Sequence, residues 1–326
     1  MRASETAVVD LMEVRTAARR RKTSKRSALR HRLEFAVFRF AVGAVKLLPE
    51  GGAASVGRML TRAFFRLARS RRRILFKNLL ASFPEKPPGE IAAIARGCVE
   101  TLGAAFMDFL QVSDLSPDQF ARRAIVTGVE HLEAARARGR GVFLLSAHFG
   151  SWEISALAVG LLGEPIAMVV RPLDNPLLEA ELARRRARFG NRIIAKKEAA
   201  RELLRAMRGN ESVAILIDQN VLERDAVFVP FFGRLAATTP SLALLQRKTG
   251  AAVLPVFTWP LGGGRYETRF EPPIWPEEFE LPGLDRAERV RRATARYMEV
   301  TEAAIRKLPT AWLWMHNRWR TRPRDA

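Results

Sequence analysis

The sequence predicts an α/β fold in which a mixed, mostly parallel sheet is flanked by helices and preceded by a basic amphipathic helical region. Three observations lead there. From residue 142 onward, short apolar runs alternate with amphipathic stretches, the pattern of strands and the helices that cover them. The 326 residues are 48% hydrophobic and 27% charged, a globular balance with enough apolar chain for a large core. The positive charge is unevenly placed: residues 15 to 77 carry 19 Lys and Arg against only Glu34 and Glu50, and so hold most of the net charge of +21. Disordered, collagen-like and disulfide-scaffold classes are excluded. Cys98 has no second cysteine to pair with, and histidines at 31, 131, 148 and 316 never reach metal-finger spacing, so a reducing setting without metal or cofactor is expected.

Taken in order, the basic cluster Arg19-Arg20-Arg21-Lys22 with Lys25, Arg26 and Arg30 predicts an unstructured arm over residues 1–30. Residues 33 to 48 are apolar but hold Glu34, Arg39 and Lys46, too much charge for a spanning helix of about 20 residues. They suit a helix lying in a membrane interface, with basic groups at anionic headgroups each worth about 1 kcal/mol. Phe64-Phe65-Arg66-Leu67 and Arg71-Arg72-Arg73-Ile74-Leu75-Phe76 repeat the mixture, which gives a membrane-associating region over 31–82. The first apolar run starts late, is broken by charge and lacks a small-residue cleavage site, so no secretory signal is expected and the body should face the cytoplasm.

Phe83-Pro84-Glu85-Lys86-Pro87-Pro88-Gly89 is a turn that opens the main domain, 83–326. A helix is predicted over 91–110. Strands follow at 142–145, 166–170, 193–194, 213–217 and 252–257, with helices near 152–159, 176–189, 199–207 and 241–248. Gly262-Gly263-Gly264 reads as a hairpin turn before Tyr266 to Phe270, because no helix follows it to cradle a phosphate.

Ligands of open α/β sheets collect past the carboxyl ends of strands. After Val142-Phe143-Leu144-Leu145 comes Ser146-Ala147-His148-Phe149-Gly150-Ser151-Trp152-Glu153. On one regular helix His148 and Glu153 would lie about 140° apart. They meet only if His148 stands outside the helix and folds back, which Gly150 permits, with Ser151 as N-cap. A carboxylate beside an imidazole fixes its tautomer and stabilises the imidazolium, as a general base for a hydroxyl requires. Neither a G-x-S-x-G elbow nor a reactive cysteine is evident, which favours direct transfer over a covalent acyl-enzyme.

These segments resemble the bacterial lipid A biosynthesis acyltransferases, within the wider lysophospholipid acyltransferase superfamily. The family hallmark of His, four residues, then Asp or Glu is similar to His148 to Glu153. Arg171-Pro172-Leu173-Asp174-Asn175-Pro176, Arg186-Ala187-Arg188-Phe189-Gly190, Asp218-Gln219, the stretch 228–239 and Trp314 to Pro323 resemble further family segments, so the likeness spans about residues 30 to 323. The Phe-Pro-Glu-Gly-Thr block of broad glycerolipid acyltransferases is missing, which favours the lipid A branch.

What the resemblance implies is an O-acyltransferase with a glycerolipid-acyltransferase-like fold. It would move a fatty acyl chain from acyl carrier protein to a hydroxyl of a lipid A precursor or similar glycolipid at an anionic membrane. His148 would take the hydroxyl proton and Glu153 would orient it. Arg171, Arg186 and Arg188 would bind phosphate or a developing oxyanion, since the guanidinium fork matches both. Asp218 and Gln219 would hold Arg186 or the acceptor. The alternatives are the same chemistry on a lysophospholipid or mannosylated inositol lipid, and a non-catalytic polybasic protein bound to membrane or nucleic acid. No zinc-finger or RNP-type motif supports nucleic acid as a partner. His316, among Trp312, Trp314 and Trp319, reads as structural, and His31 and His131 as solvent-facing.

Overall fold

The computed structural model describes residues 28–49, 51–170, 172–195 and 199–323. The basic arm therefore lies, through residue 27, outside the described residues, as does Arg171. The chain begins with the helices α1 (Ala28–Lys46), α2 (Gly52–Leu67), α3 (Arg69–Ser82) and α4 (Pro88–Val112). Ala68, at φ −80° and ψ 63°, leaves helical geometry and splits α2 from α3. Pro87 and Pro88 then open α4, where a missing N–H costs nothing. Ile91, Ile94, Ala95, Cys98 and Val99 bury the inward stripe of α4 in the main core.

Only one side of α1 is buried, through Val42 and Val45. Leu29, Leu33, Val37 and Phe40 are exposed, and their spacing of three and four residues places them on one stripe. Among the described residues no helix is long and apolar enough to cross a membrane. The first helix is nevertheless tied to the body: Lys46 pairs with Asp114 at 2.9 Å, and Asn175 Nδ2 donates to His31 O and Glu34 Oε2. Two glycines bring α2 against α4, for a Cβ on Gly57 would meet Gly103 O at 2.2 Å and one on Gly103 would meet Gly57 O at 2.3 Å.

The sheet comprises β1 (Ala124–Thr127), β2 (Val142–Ser146), β3 (Ile166–Val170), β4 (Arg192–Ala195), β5 (Ser212–Leu216), β8 (Ala252–Gly262) and β9 (Arg265–Phe270), in the order β1-β9-β8-β2-β5-β3-β4. All pairings are parallel except β8 with β9, whose turn is Gly262-Gly263-Gly264 as expected. Between strands lie α5 (Pro117–Ala121), α6 (Val129–Arg136), α7 (Trp152–Leu161), α8 (Pro176–Arg186), α9 (Ala199–Arg208) and α10 (Ser241–Thr249). Every residue of β2 is buried, because it lies between β8 and β5 with helices on both faces.

Sequence patterning missed three features. The stretch 228–239 is a two-stranded hairpin, β6 (Val227–Phe231) and β7 (Arg234–Thr238), turning through Phe232 and Gly233 at positive φ. A four-residue strand such as β1 gives too short a pattern to read. The 22-residue α11 (Arg286–Lys307) buries Ala293, Thr294, Thr301 and Ala304 beside only a few large apolar residues, so its core stripe looks polar in sequence. Its buried threonines satisfy their hydroxyls on their own helix, Thr294 on Val290 O and Thr301 on Tyr297 O. His31 and His131 are half-buried, contrary to expectation, because their helices rest on neighbouring elements.

The glycine contact between α2 and α4 gives a direct stability test. Gly103→Val should destabilise the protein by about 3 kcal/mol, the upper range for overpacking, and Gly89→Ala, with open space around it, should not; thermal unfolding of the two variants checks this.

Candidate active site

Strand register builds the site. Ser146 of β2 pairs with Leu216 of β5, so residues two positions beyond each strand face one another, and these are His148 and Asp218. The His148 N–H donates to Asp218 Oδ2 at 2.9 Å, and the imidazole Nδ1 lies 2.9 Å from Asp218 Oδ1. Trp312 Nε1–H donates to Oδ2 at 2.8 Å. With three donors on a buried carboxylate, Asp218 stays ionised: burial works against it, but His148, Trp312 and the backbone amide hold its pKa at about 2.

The neutral imidazole must carry its proton on Nδ1, since a carboxylate can only accept. That leaves Nε2 as the acceptor and base, and in this structure the Gln219 amide N–H donates to it at 3.1 Å. Burial would lower the His148 pKa, yet the charge and hydrogen bond of Asp218, with the more distant charge of Glu153, raise it above 6.5. The Trp152 ring meets the imidazole edge-on at 5.1 Å and limits its rotation.

The turn after β2 cannot vary. Gly150 sits at φ +56°, and a Cβ there would lie 1.7 Å from Thr258 O. Its N–H donates to Ala311 O at 2.8 Å, and Leu313 N–H donates to His148 O at 3.1 Å, so the segment before Trp312 is laced onto the histidine turn. Ser151 precedes α7, but its side chain makes no capping bond.

The expected orientation of His148 by Glu153 is corrected by this geometry. Glu153, in the first turn of α7, is engaged by Arg186 in a bidentate pair, with Nε to Oε2 at 2.9 Å and Nη2 to Oε1 at 2.6 Å. The sheet register gives His148 another carboxylate first, and the fork of Arg186 takes up Glu153. Arg186 is thereby held in its charged form: burial opposes this, and Glu153 outweighs it.

Arg188 is also redirected. Its guanidinium donates to the carbonyls of Ser113 and Leu115, short of any open cleft, so it braces the chain after α4. Asp218 and Gln219 do reach the site, but as neighbours of His148, and Asp218 does not hold Arg186. Patterning did not single out Trp312 as part of the site, although it touches Asp218, nor the second imidazole, His316, whose Nε2 accepts from Asn220 N–H at 3.0 Å. Burial lowers the His316 pKa, which keeps that acceptor neutral. Only the pairing of β2 with β5 and the return of the C-terminal segment reveal these partners, and neither leaves a local sequence signal.

A cleft of about 510 Å³ opens beside this constellation. Leu60 and Phe64 of α2, Leu102 and Phe106 of α4 and Trp152 line it, with Glu153 and Arg186 at its polar end. Its shape and lining suit an alkyl chain. Cys98 is buried away from it, and burial pushes its thiol pKa up, so it is no nucleophile. Among the described residues no three His, Cys, Asp or Glu side chains converge to hold a metal ion.

Comparison with known proteins identifies relatives of the chain. Residues 20–321 match the family model of the bacterial lipid A biosynthesis acyltransferases. The chain is 31% identical to a lipid A biosynthesis lauroyltransferase of Escherichia coli over 79% of its length and 82% of that protein. It is 29% identical to a lipid A biosynthesis palmitoleoyltransferase of the same organism, over 78% and 80% of the two chains. Among solved structures, the 1-acyl-sn-glycerophosphate acyltransferase of Thermotoga maritima aligns over 79% of this chain and 99% of its own, at 15% identity and a TM-score of 0.35. The fold assignment rests on the sheet order itself.

A pH profile follows from the pairing. Below its raised pKa, His148 is protonated at Nε2 and cannot accept a proton, so kcat/KM should fall on the acid side of a limb lying above 6.5. Asp218→Asn removes the charge that raises this pKa. It should move the limb to lower pH and reduce kcat by about 10²–10⁴-fold, as measured by initial rates across pH.

Proposed function

The chain belongs to the bacterial lipid A biosynthesis acyltransferase family, and on that premise we propose that it moves a fatty acyl chain from acyl carrier protein to a hydroxyl of a lipid A precursor, with His148 as general base. The observation that carries the mechanism is the imidazole pinned at Nδ1 by an ionised, buried Asp218, with Nε2 left as the proton acceptor. The acceptor hydroxyl gives its proton to Nε2 as its oxygen attacks the thioester carbon. The carbon–sulfur bond then breaks, and the imidazolium returns the proton to the departing sulfur. No cofactor enters this cycle. Asp218 stabilises the transient imidazolium and remains ionised.

The acyl chain fits the cleft between α2 and α4, which brings its thioester to the polar end where Glu153 and Arg186 lie. Glu153 acts on His148 through its charge and fixes the Arg186 fork, whose remaining nitrogen supplies positive charge near the thioester oxygen. Thus His148 and Asp218 form the hydrogen-bonded pair, and Glu153 is a positioning residue for Arg186.

Membrane attachment belongs to the same reading. The exposed stripe Leu29, Leu33, Val37 and Phe40 of α1 and the exposed Met59, Phe64 and Leu67 of α2 are interleaved with Arg32, Arg39, Arg58 and Arg66. Apolar bulk with cations fits a helix pair lying in an anionic interface on the cytoplasmic side of the inner membrane.

Mass spectrometry tests the reaction. Incubating a tetra-acylated lipid A precursor with acyl-carrier-protein thioesters should add one acyl mass with the unaltered protein and none with His148→Ala. Gain with His148→Ala at the normal rate would overturn the general-base assignment, and no gain with the unaltered protein would overturn the acceptor. Separately, Leu33→Glu with Phe40→Glu should weaken sedimentation with phosphatidylglycerol vesicles by about tenfold or more, through lost apolar burial and added repulsion.

A further inference from the structure

The mechanism needs a base whose lone pair is open, and in the resting structure that lone pair is taken. The Gln219 amide N–H donates to His148 Nε2 at 3.1 Å. The direction of this bond follows from the other side of the ring: the Nδ1–H held by Asp218 leaves Nε2 able only to accept, so the carboxamide must present its N–H and not its oxygen. An unprotonated imidazole nitrogen has one lone pair. A hydroxyl that gives its proton to Nε2 and the Gln219 amide therefore exclude one another.

What can move here is narrowly defined. Asp218, before Gln219, is buried and accepts from the His148 N–H, the His148 ring and Trp312. Asn220, after it, donates its N–H to His316 Nε2 at 3.0 Å, and its carboxamide is caught by Thr321, which donates N–H to Oδ1 at 3.1 Å and accepts from Nδ2 at 3.0 Å. The backbone at Gln219 is thus fastened on both sides, whereas its side chain is exposed and makes no other hydrogen bond among the described residues. Displacing it takes a side-chain rotation alone. The exchange is close to balanced, because one hydrogen bond to Nε2 replaces another and the released amide is solvated.

We propose that Gln219 is a removable cap on the catalytic base: it closes Nε2 while no acceptor is bound and yields it to the acceptor hydroxyl. The inference rests on the acyltransferase reading above and adds how the base is kept idle beside a bound thioester. An uncapped Nε2 can take a proton from water as it does from a lipid hydroxyl. The water oxygen would then attack the thioester carbon, the carbon–sulfur bond would break, and the imidazolium would return the proton to sulfur, releasing a fatty acid and the free carrier thiol. Gln219 holds the place that such a water needs.

Carbethoxylation of the full chain by diethyl pyrocarbonate, followed at the His148 peptide by mass spectrometry, tests the cap with no substrate present, because the reagent needs an unprotonated and unoccupied ring nitrogen. Gln219→Ala and Gln219→Met, the second keeping the side-chain length without the donor, should each raise the rate at His148 by about fivefold, the weight of one hydrogen bond. His131 in the same digest is the internal reference. In a second assay acyl-carrier-protein thioester is incubated without lipid; both variants should release free fatty acid about fivefold faster than the unaltered protein, and adding His148→Ala should suppress the release. Equal carbethoxylation of His148 in all three proteins overturns the cap, as does a gain confined to Gln219→Ala, which would mark steric cover. So does an unchanged rate of hydrolysis in protein that transfers to the lipid A precursor, or a loss of about a hundredfold in that transfer, for Gln219 would then be a donor the reaction itself needs. Failure of the unaltered protein to acylate the precursor speaks against the reaction, whereas carbethoxylation decides the cap.

Discussion

A carboxylate with 1% of its surface exposed survives as an anion only if it is surrounded by donors, and Asp218 has them from His148 twice and from Trp312. Much of the site depends on keeping that charge satisfied. The β2–β5 register brings the histidine, and the C-terminal segment returns to the turn after the central strand β2 to bring the tryptophan. Gly150 makes the tight turn that lets both approach, with Thr258 O occupying the space a side chain would need. Removing any one of these donors leaves a buried anion short of a partner.

Charge is otherwise distributed in two ways. Inside the main domain arginines are largely spent on structure: Arg185, 1% exposed, holds Glu181, Ser113 and Asp114, and Arg186 holds Glu153. Such pairs fix the geometry of α8 against α7 and α4 more than they add net stability, because the desolvation cost offsets much of the attraction. Along α1 to α3, Arg30 pairs with Glu34 and Arg62 with Glu100, whereas Arg32, Arg39 and Arg66 stand without an ion-pair partner on helices that carry exposed apolar residues. The excess positive charge thus gathers on the helices to which the proposed membrane attachment is assigned.

Much of the architecture was legible in the sequence. The five strands read from apolar runs each exist, because strands buried on both faces must be apolar throughout, and the helices near 152, 176, 199 and 241 each lie where their amphipathic spacing placed them. His148 was recognisable as a residue outside a helix, just past a strand. Its partner was not. Sequence proximity favoured Glu153, five residues away, over Asp218, seventy away, whereas parallel pairing makes the distant residue the closer one in space. Local spacing cannot express a strand register, and for the same reason Trp312 and His316 read as mere aromatic packing. The core stripe of α11 was hidden for a different reason, since its threonines satisfy their hydroxyls on their own helix and so bury without an apolar signature.

The central claim is that Asp218, not Glu153, sets the protonation of His148. Nitrogen-15 NMR of the histidine-labelled protein tests it most directly, by reading which imidazole nitrogen carries the proton in the neutral form. The account gives the Nδ1–H tautomer in the unaltered protein and in Glu153→Gln, and a mixture of tautomers in Asp218→Asn. A neutral imidazole protonated at Nε2 in the unaltered protein, or a tautomer that changes with Glu153→Gln and not with Asp218→Asn, would contradict it.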